Sequence, residues 1–362
     1  KRFGRSLDPD TNGYTSESFE EGTVGLDMTL SLFEGFSRIN QVRFRKMNKE
    51  RSEWELKEKQ NELAYQVTDA YYKLILERKL LDLALEQSRL SERYLKQTEV
   101  FVELGLKSAS DLQEVKARRE GDIYRYQSRG NSSRIALLHL KQLMNIQPGD
   151  TLAILDTITA SQLPPYSVST VETLYAQSME ILPSMRMIDL KQKAAHKEYA
   201  IAGGAFSPSV FARFTVGSNY YNTAFSARQL RDNIGKYVGV GISFPLLSGL
   251  QRLTNQRKLK LNMYRLKNEE ELEKQQLYTD IEQTLLSLHT GYSEHQQALS
   301  QLDAETLVLK ESERKWEEGL ISVFQLMEAR NRFIAAKAEL VRVRLQIEMM
   351  KLEKYYRQGT FL

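Results

Sequence analysis

Residues 24–36 read VGLDMTLSLFEGF, and residues 238–250 read VGVGISFPLLSGL. Both stretches begin with Val-Gly and carry a glycine at their twelfth position, and they lie 214 positions apart. The same spacing relates Gly105 to Gly319. It also relates Arg38, Arg43, Asn48 and Glu55 to Arg252, Arg257, Asn262 and Glu269. A match this long without an insertion predicts two copies of one structural unit, packed side by side.

The composition narrows the classes of protein. The 362 residues are 41% hydrophobic and 27% charged, which suits a folded chain, and the net charge of +4 is too small to indicate nucleic-acid binding. No cysteine is present, which excludes disulfides, thiol catalysis and thiolate metal sites. The chain contains no run of about 18 apolar residues, so no transmembrane helix is predicted. We expect no metal site, since four histidines lack ligand spacing: His139, His196, His289 and His295. We also expect no cofactor and no enzymatic activity, since no constellation around a nucleophile is present.

Long helices dominate both copies. Residues 36–104 contain neither glycine nor proline, and residues 250–318 contain only Gly291, so each segment is predicted to be one helix roughly 100 Å long. Returning helices are predicted at about 108–146 and 322–357. Apolar residues spaced alternately three and four apart predict coiled-coil seams. In the last helix these are Leu326, Ala329, Phe333, Ala336, Leu340, Val343, Ile347 and Met350. In the first they are Leu56, Leu63, Val67, Ala70, Leu74, Leu81 and Leu85.

Three segments, 24–33, 209–221 and 237–244, alternate with a period of two and predict strands. One face is apolar and the other is small or polar, and a length near ten residues suffices to cross a bilayer when tilted. Tyr220, Tyr221 and Tyr237 are predicted to form an aromatic cluster at one end of the strands. One chain has too few strands to close a barrel, so the membrane interpretation requires an oligomer. A soluble sheet remains the alternative.

The 214-residue offset also predicts that the chain begins inside a strand that ends near Leu7. We therefore expect an N-terminal segment, with any targeting signal, to precede Lys1. The predicted division of the chain has five parts. They are strands and an external loop at 1–35, a helix hairpin at 36–146, an equatorial collar with a connecting helix at 147–205, two further strands at 206–249, and a second helix hairpin at 250–362.

The order of these motifs resembles the TolC family of outer-membrane factors over essentially the whole chain. The resemblance rests on the strand ends Leu32-Phe33-Glu34-Gly35-Phe36 and Phe244-Pro245-Leu246-Leu247-Ser248-Gly249, and on the turns Gly105-Leu106-Lys107-Ser108 and Gly319-Leu320-Ile321-Ser322. It implies a membrane α+β fold, in which a homotrimer forms a 12-stranded β-barrel continuous with a long α-helical barrel. It further implies an efflux or secretion channel that lies in the bacterial outer membrane and contacts outer-membrane lipid. The partners would be a periplasmic adaptor and an inner-membrane pump of the RND or ABC type.

The resemblance also assigns candidate site residues. The periplasmic entrance would be narrowed by Asp111, Glu114, Gln325 and Glu328, and a ring of carboxylates there would favour cations. Acidic residues in the first turn of a helix can instead simply complement its dipole. The family has a basic residue where Ile321 stands and an aspartate where Gln325 stands, so we expect a weaker entrance charge. The adaptor would contact the turns at Gly105, Leu106, Ser108, Gly319, Leu320 and Ser322.

Two other functions fit parts of this pattern. A periplasmic adaptor also has a long helical hairpin, but it would have one hairpin between β-rich domains and not two at a constant offset. A soluble coiled-coil scaffold would account for the helices, but it gives no reason for strands with glycine-lined polar faces.

Overall fold

The computed structural model describes residues 6–7, 12–16, 20–147, 149–155, 163, 169–222, 227–246 and 250–360. These residues form two compact units. One comprises Lys1–Arg51 and Ile188–Glu270, and contains the main sheet. The other comprises Ser52–Met187 and Glu271–Leu362, and is helical. No helix in the described residues has the length and apolar character needed to cross a membrane.

The main sheet has three antiparallel strands in the order β3-β4-β5. They are β3 (Glu20–Glu34), β4 (Ser209–Asn222) and β5 (Gly235–Ser243), and they confirm the three predicted strands. A short ladder pairs β1 (Ser6–Leu7) with β2 (Tyr14–Thr15). The predicted strand end near Leu7 therefore lies in β1, whereas residues 1–5 are outside the described part. The connection between β4 and β5 contains a short helix, α5 (Ala227–Asp232).

The two faces of the sheet differ sharply in polarity. The register pairs Met28 with Phe214 and Phe214 with Val238, which places the apolar residues of all three strands in continuous rows on one face. These side chains are exposed in the single chain: Val24, Leu26, Met28, Leu30, Leu32, Phe214, Val238, Val240 and Ile242. A soluble sheet would bury such a face, because each exposed apolar side chain forgoes burial worth roughly 1.5–3 kcal/mol.

The predicted tyrosine cluster is only partly right. Tyr220 pairs with Gly22 near the end of β4, and its ring occupies the space that a side chain at Gly22 would need. Tyr237, however, pairs with Thr215 and lies on the polar face, with its ring over Gly239. The period of two gives the face of a residue within its own strand, but only the register places it against residues of the neighbouring strands. The side chain of Tyr221 lies outside the described residues.

Each copy of the repeat supplies a long and a shorter helix. The long helices are α1 (Ser37–Glu103) and α6 (Gln251–Glu317), each of 67 residues, and the returning helices are α2 (Ala109–Leu143) and α7 (Val323–Gln358). Corresponding helices begin 214 positions apart, which confirms the repeat. Even a strained residue is shared, since Phe36 and its counterpart Leu250 both have φ of 63° although neither is glycine. Gly249 lies outside the described residues.

The seam predicted for α7 is confirmed. Leu326, Ala329, Ala336, Leu340, Val343 and Ile347 are buried, whereas Phe333 and Met350 are partly buried. Val343 and Ile347 pack against Leu288 of α6, and Leu326 packs in a cluster with Tyr94 of α1. These contacts hold α7 between neighbouring helices, as expected for interlocking side chains at a coiled-coil spacing.

The seam predicted for α1 is wrong outside its middle. Ala70 and Leu74 are buried, but Leu56 and Leu63 are exposed in the single chain. Beyond Ile75 the buried positions are Leu83, Gln87, Ser91, Tyr94 and Thr98, rather than Leu81 and Leu85. Three of these buried residues are small or polar, so an apolar pattern could not mark them. Each instead hydrogen-bonds within the helix or to a neighbouring helix.

The collar region contains α3 (Val171–Ile181) and α4 (Pro183–Gly204), so it has two helices where the division of the chain named one connecting helix. Thr170 caps α3, and Leu174, Leu182 and Met185 pack against Leu277, Ile281 and Leu285 of α6. The Ser178 hydroxyl donates a hydrogen bond to the carbonyl of Arg357 near the end of α7 (2.9 Å). The five-part division of the chain stays a prediction, as does the structure of 156–162 and 164–168, which lie outside the described residues.

Candidate functional site at the helix turns

The two turns that join long and returning helices have the same backbone geometry. Gly105 and Gly319 adopt left-handed φ values of 73° and 76°. The amide of Leu106 donates to the Phe101 carbonyl and that of Gly105 to the Val102 carbonyl, and equivalent bonds form around Gly319. This is the Schellman motif, in which a glycine just past the helix satisfies its last carbonyl groups. The glycines therefore have a structural role whatever partner the turns contact.

A capping box begins each returning helix. The Asp111 carboxylate accepts a hydrogen bond from the Ser108 amide (3.0 Å), and the Ser108 hydroxyl accepts one from the Asp111 amide (3.1 Å). Ser322 and Gln325 repeat the arrangement, at 2.9 and 3.3 Å. The hydrogen bond from the Ser108 amide lowers the pKa of Asp111. Asp111 and Gln325 therefore cap helices, which is the alternative role that the sequence left open for Asp111.

The surface of the turns is apolar. Leu106 is 66% exposed and Leu320 is 69% exposed, and Phe324 in the first turn of α7 is exposed as well. Directly beneath, Tyr94, Val115, Trp316, Val323, Leu326 and Met327 form a buried cluster, in which the Tyr94 and Trp316 rings meet edge to face at 5.5 Å. A Schellman motif commonly buries the residue after its glycine against the helix. Here Leu106 and Leu320 remain largely in solvent on a rigid support.

Glu114 and Glu328 line one groove between α2 and α7. The groove has a volume of about 510 Å³, and both carboxylate side chains are exposed. Arg118 and Arg125 line the same groove, while Asp111 and Gln325 do not. The structure thus brings together two of the four predicted entrance residues and adds two cations that the sequence reasoning missed. Their spacing from Glu114 by four and eleven residues, which repeats one helix face, was the available signal.

A buried polar cluster lies next to this groove, and the sequence reasoning missed it too. Asp122 is 1% exposed and accepts hydrogen bonds from Ser91, from Gln87 (2.9 Å) and from Arg125 (2.9 Å). Arg330 is 2% exposed, donates to the Gln87 carbonyl and lies 5.4 Å from the Tyr94 ring centre. Burial lowers the pKa of Arg330 and raises that of Tyr94 to about 12. The cluster joins α1, α2 and α7.

The turns and the groove offer apolar and charged side chains for binding. Within the described residues, no three His, Asp or Glu side chains come close enough to hold a metal ion. The turns offer exposed apolar side chains on capped helix ends, and the groove offers carboxylates and guanidinium groups that attract or repel charged solutes.

A protein-family model matches most of the chain. It is described as "Outer membrane efflux protein" and matches residues 3–145 and 174–350. No curated protein sequence matches the chain.

Solved structures match at low identity over nearly the full chain. The CmeC outer membrane channel of Campylobacter jejuni superposes with a TM-score of 0.83 at 12% identity, covering 95% of this chain and 78% of its own. The outer membrane protein VceC of Vibrio cholerae gives 0.79 at 13% identity, covering 96% and 88%. The open state of the MtrE outer membrane channel of Neisseria gonorrhoeae gives 0.77 at 15% identity, covering 96% and 81%.

Proposed function

Because the chain belongs to the outer membrane efflux protein family, we propose that it is the exit duct of an export system, docked to its pump by a periplasmic adaptor. Three copies form a 12-stranded barrel in the outer membrane, which continues into the periplasm as a tunnel of long helices. The proposed pump is an inner-membrane transporter of the RND or ABC type. The proposed route takes cargo from that pump through the tunnel and out through the barrel.

The proposal that an adaptor docks here rests on the two equivalent turns. Leu106 and Leu320 are exposed on rigidly capped turns, at the same position of each copy. Exposed apolar side chains on a fixed backbone make good anchors, since little conformational entropy is lost when a partner covers them. We propose that the tip of an adaptor hairpin contacts Gly105, Leu106 and Ser108 in one copy, and Gly319, Leu320 and Ser322 in the other.

The entrance part of the proposal rests on the α2–α7 groove. Glu114 and Glu328 would face permeating solutes, whereas Asp111 and Gln325 act through the helix caps that position the groove. Arg118 and Arg125 share the groove and offset its negative charge. We therefore propose an entrance with only a weak preference for cations.

Charged replacements at the two anchors test docking. The double variant Leu106→Asp/Leu320→Asp should still form trimers, because both side chains are already in solvent. Its crosslinking to the adaptor should fall more than tenfold, since replacing a central apolar contact typically costs about 2 kcal/mol or more. The measurement is chemical crosslinking in cells, followed by identification of the captured adaptor and by an export assay.

Leu155→Asp is the matched control. Leu155 is 78% exposed but lies in the connection after α2, hydrogen-bonded through its carbonyl to Tyr71, about 50 Å along α1 from the turn. The control should retain both crosslinking and export. If the double variant forms trimers and captures the adaptor as well as the parent does, the turns are not the docking site. If the parent itself shows no export, the duct function is wrong.

A further inference from the structure

The polar face of the main sheet carries one pair of opposite charges. Asp27 of β3 and Arg213 of β4 lie on neighbouring strands, and the Arg213 Nη2 atom is 3.5 Å from the Asp27 Oδ1 atom. The Thr215 hydroxyl donates a shorter hydrogen bond to the same oxygen (2.7 Å). The Thr215 hydrogen bond therefore fixes the Asp27 carboxylate, whereas the Arg213 guanidinium group makes only a long contact with that carboxylate. We call Asp27 and Arg213 the barrel charge pair.

The surroundings of the barrel charge pair keep it in water. In the register, Arg213 is flanked by Thr29 on one side and by Gly239 on the other. The Tyr237 ring lies over Gly239 and the Phe211 ring lies over Gly241, so both rings lie beside Arg213 on this face. More than half of each charged side chain is exposed. The aromatic rings and the pair line a recess of about 550 Å³ on this face.

The middle of this face carries no other charge. Between Thr23 and Ser31 of β3, Ser209 and Asn219 of β4, and along all of β5, the residues that share the face are otherwise glycine, serine, threonine, asparagine or aromatic. The opposite face is the exposed apolar one. Only the polar face can therefore line an aqueous path, and only Asp27 and Arg213 place charge on it in this part of the sheet.

We propose that the barrel charge pair sets the charge selectivity of the outer section of the channel. This inference rests on the proposed function, because it requires three copies of the sheet to close around a water-filled lumen. The three pairs then form a ring with balanced charge, which lets anionic and cationic solutes pass with little preference. Arg213 offers the site for anionic groups, and Asp27 offers the site for cationic groups.

Reversal potentials of the reconstituted trimer in a KCl gradient test the inference. Arg213→Gln leaves a ring of three carboxylates and should raise the cation-to-anion permeability ratio about twofold. Asp27→Asn leaves a ring of three guanidinium groups and should lower the ratio by a similar factor. The double variant Asp27→Asn/Arg213→Gln removes both charges and should return close to the parent value. Thr29→Asn, beside Arg213 on the same face, is the uncharged control and should change nothing.

A second measurement uses the absence of cysteine from the chain. In an Arg213→Cys channel, a positively charged methanethiosulfonate reagent should restore the parent ratio, whereas a negatively charged one should raise the ratio further. Conducting channels whose selectivity is the same in all variants, and indifferent to the sign of the reagent, would overturn the inference and leave the export function standing. A parent trimer that conducts no ions would overturn both.

Discussion

Glu114 and Glu328 occupy corresponding positions in the two copies and meet in one groove, yet their surroundings reduce their effect. Arg118 and Arg125 line the groove beside them, and Arg125 also bonds to buried Asp122. Opposite charges that line one groove partly cancel at longer range, so the four residues act on solutes mainly at close approach. Asp111 keeps its negative charge, but its carboxylate is held at the helix cap by Ser108 and does not line the groove.

Neutralising both groove carboxylates is predicted to weaken any cation preference at the entrance. In reconstituted trimers of Glu114→Gln/Glu328→Gln, the cation-to-anion permeability ratio should fall about twofold. Reversal potential and single-channel conductance are the measurements. Glu120→Gln is the control, since Glu120 is exposed on the same helix, outside the groove and paired with Arg119. Unchanged selectivity and conductance in the double variant would mean that these carboxylates do not form a ring at the entrance.

At the scale of elements, buried polar groups decide which helices meet near the turns. Asp122 of α2 binds Ser91 and Gln87 of α1, and the Gln87 carbonyl in turn accepts from Arg330 of α7. Two helices joined by an apolar seam can slide past each other by one heptad, because one leucine then takes the place of another. A buried carboxylate loses its specific hydrogen-bond donors when the helices slide, so it fixes their register, although its burial costs desolvation free energy.

Asp122→Ala is predicted to lower stability by about 2–4 kcal/mol, since it removes the buried acceptor that Ser91, Gln87 and Arg125 share. The measurement is the midpoint of thermal unfolding of the trimer in detergent, monitored by circular dichroism. Asp189→Ala provides a matched control, because Asp189 pairs with Lys193 in an exposed i,i+4 bridge worth at most about 0.5 kcal/mol. Equal shifts for the two variants would show that the buried cluster adds no specific stability.

At the scale of the whole molecule, the sheet is incomplete in a single chain. Its apolar face is exposed, and β3 and β5 each have an unpaired edge within the described residues. Unpaired backbone groups are not tolerated in lipid, so both edges must pair with further strands, and one chain has too few strands to close a barrel. The soluble-scaffold alternative leaves both the apolar face and the edges unexplained, whereas membership of the family accounts for both.

An arginine on the lipid face is predicted to block assembly. Met28→Arg places a charge in the middle of the exposed apolar face and should cost about 2–4 kcal/mol in the bilayer. Thr29→Arg places the same charge on the next residue, which points to the opposite face and into water. Trimers extracted from outer membranes and run on gels without heating should be lost for Met28→Arg and kept for Thr29→Arg. Equal loss in both variants would contradict the assignment of the faces.

Sequence patterns predicted the fold well where the buried residues of an element are apolar and recur at one regular spacing. The α7 seam and the three strands follow from apolar spacing, and the 214-residue repeat predicted helix ends to within a few residues. Prediction failed where polar groups are buried. Gln87, Ser91, Asp122 and Arg330 look like surface residues in the sequence, because their burial depends on partners on other helices.

The sequence by itself determined the repeat, the helices and strands, the glycine turns and the two faces of each strand, because these depend on local spacing and on backbone conformations that only neighbouring residues impose. The tertiary structure alone decided which side chains meet. It placed Glu114 with Arg118 and Glu328, Asp27 with Arg213, and Asp122 with Gln87. Register between strands and rotation between helices are set by contacts distant in the chain, and a shift of one residue changes every such pair.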